Sequence, residues 1–301
     1  MEALTIKEEL RRAQQETRKR NRRQAIRTFF GRGILIKFCF AYLVVFFIVA
    51  IFAPLLAPYD PTAQQLTNKF APLFSEGHIL GTDYLGRDVL SRLIYGGRVS
   101  FAVSMLAGIF SASVGIVLGL ISGYVGGWIN RIIMGLTDVM LSIPGLVLTL
   151  VIATIMGKSV LSMTLAIGIG RIPTYIRMMN GLVLQLRQND YIEASRLVGL
   201  KKLKVLFKHL LPNTFPSMIV LFTINLGNAI MTESSLSYLG IGISPPTATW
   251  GNMVNDAYNY LLKAPRLAII PGVCIIALII SFNVVGDSLR DALDPRLRGK
   301  L

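Results

Sequence analysis

The sequence predicts an all-α protein that crosses a membrane six times, and its composition and charge support this. Of the 301 residues, 53% are apolar and 16% are charged, whereas an ordinary soluble domain carries about 25% charged residues. The mean hydropathy is +0.58, and the formal net charge is +15. High apolarity with excess Lys and Arg is typical of a multi-span membrane protein. A nucleic-acid-binding protein would not interrupt its basic residues with such long neutral stretches.

Six apolar runs approach the length that a membrane requires, which is about 20 residues for a hydrocarbon core of about 30 Å. They are residues 38–57, a stretch between positions 98 and 131, and residues 132–156, 159–179, 215–232 and 267–285. The fourth run contains Arg171 and Arg177, which we expect near its cytoplasmic end, where long side chains can reach the interface.

The distribution of basic residues predicts the orientation. Segments 1–37, 180–213 and 286–301 carry 21 Lys and Arg residues, whereas segments 58–98 and 239–266 carry six. The positive-inside tendency therefore places both termini in the cytoplasm. The basic segment 1–33 is interpreted as a solvated cytoplasmic helix or tail, with attraction to anionic membrane lipid as the alternative.

The outer segment 82–96 shows a helical pattern. Its apolar side chains recur at every fourth position: Leu85, Val89 and Leu93. Asp88 and Arg92 have the spacing of an i, i+4 ion pair, and Thr82 or Asp83 can cap a helix. We expect a short amphipathic helix on the outer membrane surface, with an ordinary packing element as the alternative.

The second span carries glycines at every fourth position: Gly115, Gly119, Gly123 and Gly127. Glycines at this spacing share one helix face and let a second backbone approach closely. We expect packing within the chain, and a contact between subunits remains the alternative.

Two acidic residues, Asp138 and Glu233, lie in or beside the spans. Ionisable groups in a membrane are functional candidates by default. Asp138 is seven residues from Arg131 and is expected near the inner face, while Glu233 is expected at the outer end of the fifth span. We favour pairing or capping at helix ends over a proton relay for both.

The cytoplasmic segment 190–213 has two short helical parts separated by Gly199. The second part places apolar residues at positions i, i+3, i+4 and i+7: Leu203, Leu206, Phe207 and Leu210. Its other face carries lysines at positions 201, 202, 204 and 208. The pattern fits a helix on the membrane surface or a helix that docks into a groove of a cytoplasmic partner.

The sequence shows no pattern of a catalytic site. The triplet Gly157–Ser159 ends like a phosphate-binding loop, but Ile152 occupies the position of its first glycine. Two histidines are too few and too far apart for a His-rich zinc site, and no Gly-x-Ser-x-Gly elbow occurs. We therefore predict no catalytic residue, no metal site and no cofactor bound by this chain.

Four stretches resemble the permeases of ABC importers. Glu193-Ala194-Ser195 with Gly199 and Leu211-Pro212 is similar to the Glu-Ala-Ala-x-x-x-Gly…Leu-Pro loop of that family. Three further stretches resemble the C-type subunit of dipeptide, oligopeptide and nickel permeases: 80–92 (LGTDYLGRDVLSR), 236–251 (LSYLGIGISPPTATWG) and 282–295 (FNVVGDSLRDALDP). Asn180 departs from these relatives, which often carry Arg there.

The resemblance implies the type I ABC importer permease fold in the bacterial cytoplasmic membrane. It implies that residues 99–286 form the permease core, with the first span and outer loop at 34–98 and a cytoplasmic tail at 287–301. Loop 190–213 would couple to an ATPase through nine residues: Glu193, Ala194, Ser195, Gly199, Leu203, Leu206, Phe207, Leu211 and Pro212.

The implied partners are a homologous B-type permease, two cytoplasmic ATPase subunits that bind ATP and Mg, an extracytoplasmic substrate-binding protein and membrane lipid. The expected cargo is di- or oligopeptide, with nickel, metallophore or glutathione as alternatives. An ion-coupled secondary transporter is the rival from another class, but it would favour internal repeats and midplane charges.

Overall fold

The computed structural model describes residues 29–31 and 33–293. Helices α1 (Ile34–Ile51) and α2 (Ala53–Leu56) lead into an outer loop that contains a 3₁₀ turn (Leu66–Asn68). The helices that follow are α3 (Val89–Val125), α4 (Gly127–Ser142), α5 (Gly145–Met156), α6 (Val160–Leu186), α7 (Asp190–Leu197) and α8 (Lys202–Val205). A π-helical turn (Leu206–Leu210) then joins α9 (Leu211–Tyr238), and α10 (Trp250–Tyr258) and α11 (Arg266–Leu293) complete the fold.

The all-α prediction is confirmed. Within the described ranges, four helical stretches are long and apolar enough to cross a membrane: Ile34–Ile51, Val89–Val125, Leu206–Tyr238 and Arg266–Leu293. Helices α4 and α5 together make a fifth if they are counted as one bent span. Helix α6 is 27 residues long, about 40 Å, and packs along α3. The six-span count and the orientation remain predictions.

The predicted third span is broken rather than straight. Its two halves meet at an angle of 93°. Ile143 has φ −90° and ψ 131°, because the ring of the following proline disfavours the helical region at the preceding residue. Pro144 itself lacks the N–H that would continue the helix. A count of apolar residues does not detect this break, since Pro is uncharged and the flanking residues are apolar.

The prediction of a separate outer surface helix at 82–96 is wrong. The chain turns through residues 82–87, and the 37-residue α3 begins at Val89 and runs directly into the second span. Asp88 is the N-cap, and its side chain accepts a hydrogen bond from the Ser91 amide at 2.7 Å. The boundary that we predicted between residues 98 and 99 therefore falls inside one helix.

Two other predicted spans also end too early. The fourth extends past position 179 to Leu186, and the fifth extends past position 232 to Tyr238. In the same way α11 crosses the predicted boundary at residue 287 and reaches Leu293. The segment 1–28 and the tail beyond 293 lie outside the described residues.

Helices α3 and α6 share the most extensive contact between two described helices. Gly115, Gly119 and Gly123 lie against Tyr175, Met179 and Val183, in that order. A Cβ atom built on Gly119 would lie 2.6 Å from the Met179 Cβ, and one on Gly123 would lie 2.8 Å from the Val183 Cβ. The two backbones approach this closely because glycine carries no side chain. The contact lies within the chain.

Gly127 does not belong to this contact, contrary to our prediction. Helix α3 ends at Val125, and the backbone reverses at Gly126, where φ is +72°. Gly127 starts α4 with φ +57°, and an added Cβ there would meet no atom within 4 Å. A regular spacing in the sequence continues across the end of a helix, but the shared face does not.

Candidate functional site

The loop after α6 is built around a glycine. Helix α7 ends at Leu197, and Gly199 takes φ +76°, a conformation that glycine adopts without strain. The Leu200 amide donates a hydrogen bond to the Ser195 carbonyl at 3.2 Å, which is the six-to-one bond of a Schellman C-cap. Gly199 therefore sets the angle between α7 and the helical segment that follows.

One side of this loop is anchored in the bundle. Ile192, Val205 and Leu210 are fully buried, and Leu206 is nearly so. They share one apolar cluster with residues of α3, α6 and α9: Leu120, Tyr124, Met179, Val183 and Met218. Met179 and Val183 are also the residues that lie against Gly119 and Gly123. The loop thus packs directly on the tight α3–α6 contact.

The other side of the loop is exposed and partly apolar. Tyr191, Val198 and Phe207 are 42%, 80% and 59% exposed. We predicted that Phe207 would share the buried apolar face of this segment, and that prediction is wrong. The π-helical turn at Leu206–Leu210 changes which positions point towards the bundle. Ser195 is half-buried, and its hydroxyl donates to the Tyr191 carbonyl at 2.7 Å.

The remaining loop residues divide between described and undescribed side chains. Leu211 is half-buried and Pro212 is exposed in the first turn of α9, where a proline costs no helical hydrogen bond. The side chains of Glu193, Ala194 and Leu203 lie outside the described residues. Their assignment to ATPase coupling stays a prediction.

The charged residues of the spans occupy three different environments. Asp138 on α4 pairs with Arg177 on α6, and both side chains are more than half exposed. Glu233 lies inside α9 rather than at its end and is fully buried. Its Oε1 accepts from the Ser237 hydroxyl at 2.8 Å. Arg171 lies near the middle of α6, 15 residues before its last residue, so the expected position near the cytoplasmic end is wrong.

An ion network, which we did not predict from the sequence, closes the end of the bundle opposite segment 190–213. Asp83 accepts from the Arg87 Nε at 2.6 Å and lies 3.5 Å from the Arg92 Nε. Asp256 on α10 accepts from the Nη2 of both arginines at 3.2 Å. Asp88 does not pair with Arg92 as expected, but caps α3 and contacts the His78 Nδ1 at 2.8 Å.

Burial has the largest effect on the Asp256 carboxyl in this network. It raises the pKa of the Asp256 carboxyl above its ordinary value, although Arg92 and Arg87 oppose the shift. The i, i+4 spacing of Asp83 and Arg87 was a usable signal, but nothing in the sequence indicated that Asp256 would join them. The network ties the loop before α3 to α10, at the surface that we predict to face outward.

The pattern of a known family covers most of the bundle just described. The family described as "Binding-protein-dependent transport system inner membrane component" matches residues 115–299. The chain belongs to this family. A second pattern, the N-terminal TM domain of oligopeptide transport permease C, matches residues 24–72. The permease is therefore a subunit of a bacterial ABC importer in the cytoplasmic (inner) membrane, and the alternative of a secondary transporter is set aside.

Two relatives match the permease over most of their length. It is 41% identical over 273 residues to a dipeptide transport system permease protein of Haemophilus influenzae, covering 89% of this chain and 92% of the relative. It is 39% identical over 250 residues to a glutathione transport system permease protein of Pectobacterium atrosepticum, covering 83% of each.

The permease also resembles solved structures in fold. It matches a chain of the MetNI methionine ABC transporter in an inward facing conformation with a TM-score of 0.57 and 18% identity, over 67% of this chain and 97% of that chain. A second crystal form matches with a TM-score of 0.55 and 20% identity, over 68% of this chain and 98% of that chain. The type I importer permease fold that the sequence implied is thereby confirmed.

Proposed function

We propose that this permease imports di- or oligopeptides and that segment 190–213 couples it to a cytoplasmic ATPase. The observation that supports coupling is the two-sided loop. One side shares an apolar cluster with α3 and α6, and the other exposes Tyr191, Val198 and Phe207. Several apolar side chains exposed on one short loop are typical of a protein contact site.

The proposed mechanism follows from this packing. Binding of ATP and Mg closes the two ATPase subunits and moves the loop. The buried side chains of the loop transmit the movement to the tight α3–α6 pair as a rigid unit, because a close-packed contact resists internal compression. The helices of this chain and of a homologous B-type permease then open outward. Nucleotide can shift this equilibrium only if the ATPase contacts differ between the two states.

Cargo reaches the outward-open form from a substrate-binding protein, and ATP hydrolysis in the partner subunits resets the transporter. This chain supplies the path and the coupling, without a catalytic residue of its own. The surface around Asp83, Arg87 and Asp256 is a candidate landing surface for the binding protein.

Peptide cargo is supported by the relatives, which are named for dipeptide and glutathione transport. Glutathione is itself a peptide, so both names describe small molecules with amide bonds and a terminal carboxylate. Nickel and metallophores remain the alternative cargo. Profiling the ligands of the partner binding protein separates these classes directly.

The coupling assignment is tested by Glu193→Arg in the reconstituted complex. A docking loop loses a specific contact when this charge is reversed, whereas a loop held on the membrane surface gains attraction to anionic lipid. We expect normal insertion of the variant but loss of co-purifying ATPase or of cargo-stimulated ATP hydrolysis. Glu193→Gln removes the charge without reversing it. Its bound ATPase and its cargo-stimulated ATP hydrolysis should lie between those of the wild type and of Glu193→Arg. Wild-type behaviour of Glu193→Arg would refute the assignment.

A further inference from the structure

Arg171 lies at the depth of the membrane centre. Helices α3 and α6 run parallel, with Gly168 against Phe110 and Tyr175 against Gly115. Arg171 is therefore level with residues 110–115 of α3. These are the middle of residues 99–130, which carry no charged side chain. An arginine at this depth is costly and marks a functional position by default.

Within the part of the chain that the structure describes, no carboxylate compensates the charge of Arg171. Its Nη2 donates to the Asn228 carbonyl at 3.2 Å and to the Thr232 hydroxyl at 3.1 Å. Both acceptors are neutral groups of α9. No described carboxylate side chain forms an ion pair with Arg171, whereas Arg177, Arg87 and Arg92 each have at least one such partner. A guanidinium has five N–H donors, so donors remain for a ligand.

A cavity leads towards this group from the end of the bundle that carries segment 190–213. It has a volume of about 630 Å³ and lies between α6, α9 and α11. Its lining is mixed polar and apolar: Met178, Gln185, Asn213, Pro216, Ser217, Val220, Leu221, Ile224, Arg290 and Leu293.

The cavity and Arg171 lie on the same helix faces. Arg171 precedes Met178 by seven residues, so the two side chains lie on the same side of α6. Arg171 is two turns, or about 10 Å, deeper in the membrane than Met178. Asn228, which accepts from Arg171, is one turn beyond Ile224 on α9. The guanidinium therefore stands just past the inner end of the cavity.

The chemistry of the site selects a carboxylate. A guanidinium presents paired N–H groups that match the two oxygens of a carboxylate. In a water-poor region such a pair is much stronger than in bulk water, and an anionic ligand would supply the counter-charge that the described residues do not provide. The small peptides proposed as cargo carry one such group at the C-terminus.

We propose that Arg171 binds the C-terminal carboxylate of the peptide cargo half-way through the membrane. This inference rests on the proposed peptide import. Arg171 thus acts as a cargo-binding residue on the path between the outer surface and the cytoplasmic cavity, and it favours cargo with a free carboxylate over cargo in which that group is blocked.

The test uses the complete complex in proteoliposomes, with wild-type binding protein. The cargo is a tripeptide with a free C-terminus and its C-terminal amide, chosen from those that the wild-type complex transports. Initial uptake is measured for Arg171→Gln, Arg171→Lys and Thr232→Val, and each rate is divided by the wild-type rate for the same cargo. The preference of the binding protein cancels in this ratio.

We expect Arg171→Gln to lower uptake of the free acid by about tenfold or more, since it removes a charge-assisted hydrogen bond. Uptake of the amide should stay within about twofold of wild type on the same reasoning. Arg171→Lys keeps the positive charge but lacks the paired N–H groups of the guanidinium. Its uptake of the free acid should lie between that of the wild type and that of Arg171→Gln. Thr232→Val removes one contact between α6 and α9 but keeps the guanidinium, so its two ratios should be equal.

An equal loss for both cargoes in Arg171→Gln would overturn the inference and make Arg171 a structural link between α6 and α9. Unchanged uptake of the free acid would overturn it as well. If the wild-type complex transports neither the free peptide nor its amide, the proposed peptide import is wrong, and the inference about Arg171 fails with it. This outcome is visible in the wild type alone, so it is distinguished from a failure that only the variants reveal.

Discussion

Replacing Gly119 with alanine places a methyl group inside the contact between α3 and α6. The new Cβ would lie 2.6 Å from the Met179 Cβ and 2.8 Å from the Ile176 carbonyl oxygen. Carbon atoms pack best at about 3.5–4.0 Å, so the helices must separate by about 1 Å. Overpacking of this kind typically costs about 1–3 kcal/mol. Neither neighbour can rotate away, because one is a Cβ atom and the other belongs to the backbone.

The matched control is Gly181→Ala on α6. A Cβ there meets no atom of the chain within 4 Å, so the substitution adds a methyl group without a clash. Both variants gain the helix propensity of alanine, about 1 kcal/mol over glycine. The difference between them therefore isolates the packing cost, and we expect Gly119→Ala to be less stable than Gly181→Ala by about 1–3 kcal/mol.

The assay is thermal unfolding of the purified complex at one scan rate, together with cargo-stimulated ATP hydrolysis. A difference of 1 kcal/mol corresponds to roughly 2–4 °C for a domain of 150–250 residues. Gly119→Leu should lower both stability and transport further than Gly119→Ala. If Gly119→Ala unfolds at the same temperature as Gly181→Ala or above it, the α3–α6 contact is not tight in the assembled transporter, and the reasoning fails.

Two other predictions concern the loop and the topology. Gly199→Val forces a β-branched residue to a φ of +76°, which costs about 1–2 kcal/mol or more, and should uncouple ATP hydrolysis from transport; Gly199→Asn tolerates this conformation and should retain most activity. Equal activity of both variants would show that the angle at Gly199 is not required. A reporter active only outside the cytoplasm should work when fused after Gly77 or Met253 and be silent after Gly199 or Arg298, whereas activity at Gly199 would refute the six-span orientation.

The sequence alone was enough to predict the class of the protein and its family. Membrane spans are visible in sequence because each needs a long apolar run, and a run of that length rarely has another cause. The turn at Gly199 and the spacing of Gly115, Gly119 and Gly123 were also visible, since both depend on local backbone properties of glycine.

Tertiary structure decided where these elements begin and end. Helix α3 starts at Val89 because Asp88 caps it, whereas we had expected Thr82 or Asp83 to be the cap. The extensions to Leu186 and Tyr238 cross charged or polar positions that a hydropathy criterion treats as boundaries. Packing on neighbouring helices stabilises these turns, and single-sequence hydropathy carries no information about neighbours.

Partnerships between distant residues were decided by the fold as well. Asp256 joins Arg87 across 169 positions of the chain, and Arg171 reaches Thr232 across 61. No local spacing rule relates such residues, because their distance depends on how two helices are rotated and shifted against each other. The sequence determined that this chain crosses a membrane as an importer permease. The depth of Arg171 and the angle of the break at Pro144 followed only from helix packing, which sets rotation and register through contacts made in three dimensions.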